Sequence, residues 1–166
     1  MIRPFSFRRA LLAGFLGTVA MTILMYGWPL IGLPSMDIMA TLGGVFPLGT
    51  SPYVMGSLIH LGIGMSMGLI YALFIEARLP GPGWLRGALF SLLPWLFAIT
   101  LLGPSLHTAS ELLKGKEAVA ANPCAVANPC RNSSASSSGP SPQAMSLMVH
   151  LFYGVVLGAA YRPSGT

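Results

Sequence analysis

The chain has 166 residues, of which 54% are hydrophobic and only 8% are charged, and its formal net charge at pH 7 is +5. Soluble domains average about 25% charged residues, and disordered chains combine low hydrophobicity with high net charge, so both classes are excluded. The basic residues form no patch with interleaved aromatic residues, which also excludes nucleic acid as a partner. The composition therefore predicts a small multi-pass membrane protein whose main surroundings are membrane lipid.

Four apolar stretches are long enough to cross a bilayer, which takes about 20 residues in a helix. They cover residues 10–28, 53–75, 85–102 and 144–161. The first stretch exceeds the roughly 7–15 apolar residues of a signal peptide, so we expect an uncleaved span that ends at Pro29 and Pro34. Pro94 is expected to kink the third span without breaking it. We predict an all-α fold with one domain over residues 1–166, an integral membrane four-helix bundle built from two similar transmembrane hairpins.

A short helix is predicted between the first two spans, on the outer face of the membrane. Ser35 is expected as its N-cap, with Asp37 in its first turn, where a carboxylate is favourable. The main interpretation of Asp37 is that it caps its own helix. The alternative is that it pairs with or orients His60 or His150.

The second and fourth spans share the pattern H-x3-G-x3-G-x2-Y, which predicts an internal duplication. The matching residues are His60, Gly64, Gly68 and Tyr71 in the second span, and His150, Gly154, Gly158 and Tyr161 in the fourth. Their spacing keeps them on one helical stripe, with both histidines near the outer ends of their spans. The four glycines are predicted helix-packing positions, and the two hairpins are expected to be related by a pseudo-twofold axis along the membrane normal and to meet along the glycine stripes.

Ionisable residues inside a membrane are costly and rare, so His60 and His150 are candidate functional residues. At equal depth on parallel helices they are suited to ligate a haem or a chlorophyll-type tetrapyrrole, with Gly64 and Gly154 leaving room for the macrocycle. The side chains expected to line it are Met65, Met67, Phe152 and Tyr153. The competing interpretation is direct packing of the glycine stripes, without a cofactor, which would bring the backbones too close for a macrocycle. A divalent metal between the histidines is a third alternative, but no dedicated metal site is predicted.

Residues 104–141 form a long loop, predicted to lie outside the membrane and suited to a periplasmic partner. The loop repeats the tetrapeptide Ala-Asn-Pro-Cys, which places Cys124 and Cys130 six residues apart. In an oxidising compartment these cysteines should form a disulfide. Metal or cofactor binding by the cysteines is the alternative, although zinc sites usually need closer spacing and four ligands.

The basic residues are distributed unevenly between the two predicted faces of the membrane. Six lie at span ends on one face, namely Arg3, Arg8, Arg9, Arg78, Arg86 and Arg162, against Lys114, Lys116 and Arg131 in the long loop. The positive-inside rule then predicts that both termini lie in the cytoplasm.

Several segments of the chain, from the first span to the last, resemble a family of uncharacterised small four-helix bacterial inner-membrane proteins, known only as a domain of unknown function. The matching segments are 14–25, 32–38, His60 with Gly64, 84–87 and 150–154, so that the resemblance covers nearly all of the chain outside 104–141. It implies four membrane spans and no known activity.

No motif of a hydrolase, nucleotide-binding protein or metalloprotease occurs in the sequence. We therefore expect no enzyme and no catalytic residue, but an accessory or structural subunit that packs against other integral membrane subunits in a larger complex, for example an energy-transducing one. One alternative is a His-ligated haem- or pigment-binding protein for electron transfer or light harvesting. A second alternative is an oligomeric small-solute transporter or channel.

Overall fold

The structure is a computed structural model that describes residues 5–33, 37–45, 51–102, 108, 112 and 141–161. Every regular element among these residues is helical, which confirms the predicted all-α fold. The helices are α1 (Phe7–Gly27), α2 (Ile38–Gly44), α3 (Pro52–Ile70), α4 (Gly83–Phe97) and α5 (Pro142–Ala160). Three short turns extend them, a 3-10 turn at Trp28–Ile31 and π-helical turns at Tyr71–Ile75 and Ala98–Leu102.

Four of these helices, with their extensions, are long and apolar enough to cross a membrane. They cover Phe7–Ile31, Pro52–Ile75, Gly83–Leu101 and Gln143–Ala160, close to the four predicted spans. The first span continues through Pro29 as a 3-10 turn and ends at Gly32, whose φ of 79° suits glycine. Proline fits the first turn of such a segment because its missing N–H is not needed there. The α-helix of the first span therefore ends at Gly27, just before Pro29, and its 3-10 extension ends at Ile31, before Pro34. The helix α4 passes through Pro94 unbroken, as expected.

The helices form a row in which α3 packs on α1, α1 on α5, and α5 on α4, while α2 lies on α3. The two ends of the row, α3 and α4, also approach each other, since the Tyr71 ring just after α3 lies 5.5 Å from the Phe90 ring of α4. The row is therefore curved. Ser6 before α1 and Tyr161 after α5 are also close, with 3.5 Å between the Ser6 backbone nitrogen and the Tyr161 hydroxyl. Both ends of the described chain therefore lie at the same end of the bundle, here called the termini end.

Within the first hairpin, small residues bring α1 and α3 into backbone contact. A Cβ added at Gly14 would lie 2.7 Å from the Gly64 carbonyl oxygen, and one at Gly68 would lie 2.6 Å from the Ala10 carbonyl oxygen. A Cβ at Gly64 would collide with the Thr18 hydroxyl. Helices in a membrane gain most from such close van der Waals packing, since lipid offers no hydrophobic driving force.

The second hairpin is built in the same way. A Cβ at Gly158 would lie 3.0 Å from the Gly87 Cα atom, and one at Gly154 would lie 2.7 Å from the Ser91 hydroxyl oxygen. The contact series Ala10, Gly14, Thr18 of α1 is thus matched by Gly83, Gly87, Ser91 of α4. Both series have four-residue steps that end in a hydroxyl residue.

The glycine stripes of the two repeated helices do not pack on each other as the sequence suggested. Gly64 and Gly68 face α1, whereas Gly154 and Gly158 face α4, so each stripe closes its own hairpin. The physical reason is that α1 and α4 carry small residues at matching four-residue steps, so that each glycine stripe meets a complementary small-residue face within its own hairpin.

The termini end of the bundle is joined by a buried ionic contact between α4 and the end of the second span. An Arg86 Nη2 atom lies 3.1 Å from Glu76 Oε1, and the Tyr71 hydroxyl donates to Glu76 Oε2 at 2.8 Å. Arg78 instead donates to the Phe74 carbonyl. Arg78 is exposed on the helix surface, whereas Arg86 is largely buried against the carboxylate.

Candidate functional site

A cavity of about 260 Å³ lies in the half of the bundle far from the termini end. Its walls come from all four membrane helices, and Ile38 and Leu42 of α2 close one side. The remaining lining residues are Thr18, Met21, His60, Ile63, Gly64, Met67, Pro94, Phe97, Ala98, His150 and Tyr153. The cavity is therefore the place where the two repeated halves of the chain meet.

His60 and His150 both line this cavity. The sequence predicted that they lie at equal depth but not that they share a cavity. Each lies eight positions after the first residue of its helix, Pro52 or Pro142. At a rise of about 1.5 Å per residue, both histidines lie roughly 12 Å from the start of their helices, in the N-terminal half of each span. Their equal depth follows from the duplication.

The two imidazole rings differ in their hydrogen bonds. His150 Nδ1 lies 2.7 Å from the Ser146 carbonyl oxygen, which can only accept, so Nδ1 carries the proton and Nε2 carries the lone pair. His60 Nε2 is shielded and has no hydrogen-bond partner within the described residues. Within the described residues, neither Nε2 atom is therefore engaged in a hydrogen bond.

Tyr153 fixes the position of α5 against the first hairpin. Its hydroxyl donates to the Gly64 carbonyl oxygen at 2.7 Å, and its ring lies against Gly17, where a Cβ would come within 2.9 Å of it. The sequence suggested Tyr153 only as a lining residue. Its bridging role depends on Gly17, which leaves space for the ring. Gly17 is visible in the sequence, but the sequence does not show that it lies opposite Tyr153.

The sequence-predicted lining residues divide into two groups. Met67 and Tyr153 line the cavity, whereas Phe152 is exposed on the outside of α5 and Met65 is not part of the cavity wall. Gly64 borders the cavity, but Gly154 is buried against Ser91 and Gly87. Met21 of α1 is an additional lining residue that sequence reasoning missed, because nothing in the sequence connects it to the histidines.

The donor set of the cavity consists of two imidazoles and two thioethers in an otherwise apolar wall. The Thr18 hydroxyl donates to the Gly14 carbonyl and the Tyr153 hydroxyl to the Gly64 carbonyl, so both hydroxyl protons are used. Within the described part of the chain, no carboxylate lines the cavity, and no group of three or more His, Cys, Asp or Glu residues is placed to hold a metal ion.

A tetrapyrrole fits this arrangement poorly. Pockets for drug-sized ligands span about 300–1,000 Å³, and the cavity, at about 260 Å³, falls below that range. A macrocycle between His60 and His150 would therefore need more space than this cavity provides.

Asp37 lies outside this cavity wall and connects three elements. It is the N-cap of α2, in place of the predicted Ser35, and accepts a hydrogen bond from the Ala40 N–H at 3.1 Å. Tyr26 donates to one carboxylate oxygen at 3.0 Å and Tyr53 to the other at 2.7 Å. Partial burial raises the pKa of Asp37, but these three hydrogen bonds outweigh it and lower the pKa below its ordinary value. Asp37 thus anchors α2 over the cavity through tyrosines rather than through the histidines.

A family of unknown function, DUF6789, matches residues 6–117. The chain belongs to this family. The DUF6789 match includes His60, Gly64 and Gly68 but ends before α5, so it is narrower at the C-terminal end than the expected resemblance and includes the first part of the 104–141 loop. Searches of curated proteins and of solved structures gave no match.

The predicted disulfide between Cys124 and Cys130 lies outside the described residues, as does nearly all of the 104–141 loop. Both cysteines also follow the last residue of the DUF6789 match. The disulfide and the loop partner therefore stay predictions from the sequence.

Proposed function

We propose that this protein is a non-catalytic accessory or structural subunit that packs within a larger bacterial inner-membrane complex. The use of polar side chains within the spans is the observation that supports this best. The hydroxyls of Thr18, Ser66 and Thr100 each donate to the carbonyl four residues back in the same helix. Arg86 and Glu76 pair with each other at the termini end. Polar groups used in this way satisfy their own helix or join neighbouring elements, and they supply no acid, base or nucleophile to a substrate.

The outer surface of α4 offers a continuous apolar stripe to a neighbour. Leu89, Leu93 and Leu96 follow one face of the helix, and about half of each side chain is exposed. In a membrane such a stripe is covered by lipid or by another subunit. An accessory subunit would use it for packing.

The orientation that we propose places both termini in the cytoplasm. The Ser6–Tyr161 contact puts both ends of the described chain on one face, and Arg8, Arg9 and Arg86 lie at that face. A cytosolic fluorescent reporter fused after residue 166 should be active, and alkaline phosphatase inserted into the 104–141 loop should be active outside. Activity of phosphatase at the C-terminus would contradict this orientation.

The proposed subunit role is tested by photocrosslinking in native membranes at natural expression levels. A photoreactive amino acid at Leu93 should give a discrete adduct with one membrane protein, which also co-purifies with the tagged chain in mild detergent. The same amino acid at the exposed Phe7 of α1 controls for random collisions in the bilayer. Adducts with lipid alone at Leu93, together with purification as a monomer, would contradict a subunit role.

The two other functions suggested by the sequence are tested with the same preparation. A Soret band that disappears in both His60→Ala and His150→Ala would identify a tetrapyrrole protein. Solute flux in proteoliposomes that is sensitive to changes at Asp37 or His60 would identify a transporter or channel. A colourless protein without flux would agree with the subunit role.

A further inference from the structure

We propose that His60 and His150, together with Met67 and Met21, form an intramembrane binding site for the soft monovalent metal ion Cu(I). The inference is independent of the partner proposed above, because it rests only on the cavity inside the chain. It concerns binding of the ion and includes no electron transfer.

The arrangement of the imidazoles supports ligation. His150 is held by the bond between Nδ1 and the Ser146 carbonyl oxygen at 2.7 Å, the type of backbone contact that orients metal-binding histidines and leaves Nε2 as the ligand atom. His60 places a shielded Nε2 atom without a hydrogen-bond partner among the described residues. An imidazole nitrogen in such apolar surroundings gains from an additional bonding partner.

The chemistry of the remaining wall selects the ion. Met67 of α3 and Met21 of α1 line the same cavity as the histidines, and thioethers are soft ligands that favour Cu(I). Hard cations such as Mg²⁺ and Ca²⁺ need oxygen ligands, above all carboxylates. The described cavity wall contains no carboxylate.

The absence of charge on the proposed ligands also favours Cu(I). All four ligands are neutral, so a bound ion keeps its full charge inside the apolar bundle. The desolvation cost of an ion rises steeply with its charge, and Zn²⁺ or Cu²⁺ would have no anionic ligand to offset it. A monovalent ion is therefore the metal that this donor set can hold.

The size of the site requires its ligands to converge on the ion. A cavity of about 260 Å³ is larger than one metal ion, so binding needs the flexible methionine side chains to move inward around it. Met67 and Met21 come from both helices of the first hairpin and His150 from the second, so the ion would join the two halves of the chain.

The experiment is an anaerobic Cu(I) titration of purified full-length protein in detergent, in competition with a chromogenic Cu(I) chelator. The parent carries Cys124→Ser and Cys130→Ser, because thiolates in the loop would bind Cu(I) themselves. We expect one Cu(I) per chain and an X-ray absorption spectrum with both nitrogen and sulfur ligands.

Variants in that parent assign the ligands. His60→Ala and His150→Ala should each weaken binding by more than about 100-fold, above the 10–100-fold effect of changes in the outer shell of a metal site. Met67→Leu, which conserves volume, should weaken binding and reduce the sulfur signal. Met148→Leu is the matched control, since Met148 lies on the same helix as His150 but is exposed, and its affinity should equal that of the parent.

Three results would overturn the proposal. They are no Cu(I) binding by the parent, equal affinity of the parent and the histidine variants, or a Soret band in protein from native membranes. Helix content and monodisperse elution show whether each variant folds. If the histidine variants fail to fold, Met67→Leu decides, because unchanged affinity and an all-nitrogen coordination shell would contradict the site.

Discussion

Neighbouring glycines of α3 have very different surroundings, and this difference gives the sharpest test at the residue scale. A Cβ at Gly64 would collide with the Thr18 hydroxyl, whereas one at Gly62 would meet nothing within 4 Å. Both residues lie in the same helix and two positions apart, so helix propensity affects them equally.

We predict that Gly64→Ala lowers the free energy of unfolding by about 1–3 kcal/mol, the usual cost of overpacking. Gly62→Ala should change it by less than about 0.5 kcal/mol or slightly stabilise the helix. Unfolding by titration with a denaturing detergent, followed by circular dichroism, measures both. Equal effects of the two substitutions would show that α1 does not lie against Gly64.

Asp37 gives a pH-dependent prediction. The pKa of its carboxyl is lowered from its ordinary value of 3.8 in the folded protein. A group with a depressed folded-state pKa stabilises the fold above its unfolded-state pKa, and that contribution is lost as the pH falls through the folded-state pKa. Asp37→Asn keeps a capping oxygen and removes the charge.

The difference in stability between the parent chain and Asp37→Asn should therefore be largest between about pH 5 and 7 and should disappear under more acidic conditions. Tyr53→Phe should reduce the same difference, because it removes one hydrogen bond to the carboxylate. Detergent unfolding at a series of pH values checks this. A difference that grows on acidification would contradict the assigned hydrogen bonds.

At the scale of elements, hydropathy was sufficient to predict the four spans, because a helix needs about 20 apolar residues to cross a bilayer wherever it packs. The partners of the glycine stripes could not be predicted in this way, since a stripe shows which face packs but not which helix it meets. The matching steps Ala10–Gly14–Thr18 and Gly83–Gly87–Ser91 held that information, but alanine, threonine and serine are too common in membrane helices to stand out.

The candidate site, too, was predicted only in part from the sequence. The duplication was enough to place His60 and His150 at one depth, because each follows the first residue of its helix by the same distance. Their common cavity depends on Tyr153, which reaches across Gly17 to the Gly64 carbonyl. Contacts between residues so distant in the chain leave no periodic pattern in a single sequence.

The loop between α4 and α5 gives an independent prediction at this scale. If residues 104–141 lie in the oxidising periplasm, Cys124 and Cys130 should resist alkylation in intact cells until a reductant is added. A mass shift of two alkyl groups after reduction, and none before it, is the expected result. Labelling of both thiols without reductant would contradict the disulfide or the outer location of the loop.

At the scale of the whole molecule, the chain consists of two hairpins of similar construction that share one cavity. Each hairpin is closed by its own contact of small residues, and the two are joined mainly by α1 and α5. The termini end is fixed by the Arg86–Glu76 pair, whereas the far half leaves the space lined by the histidines. The ion pair and the cavity therefore lie in opposite halves of the bundle, which leaves the half far from the termini end free for a small ligand site.

The central structural claim is that each glycine stripe packs within its own hairpin and not against the other stripe. Through-space carbon correlation spectra by solid-state NMR, on protein in lipid bilayers with labelled glycine, threonine and serine, test it directly. The account predicts cross peaks from Gly64 to Thr18 and from Gly154 to Ser91. Cross peaks between Gly64 and Gly154, without those two, would contradict it.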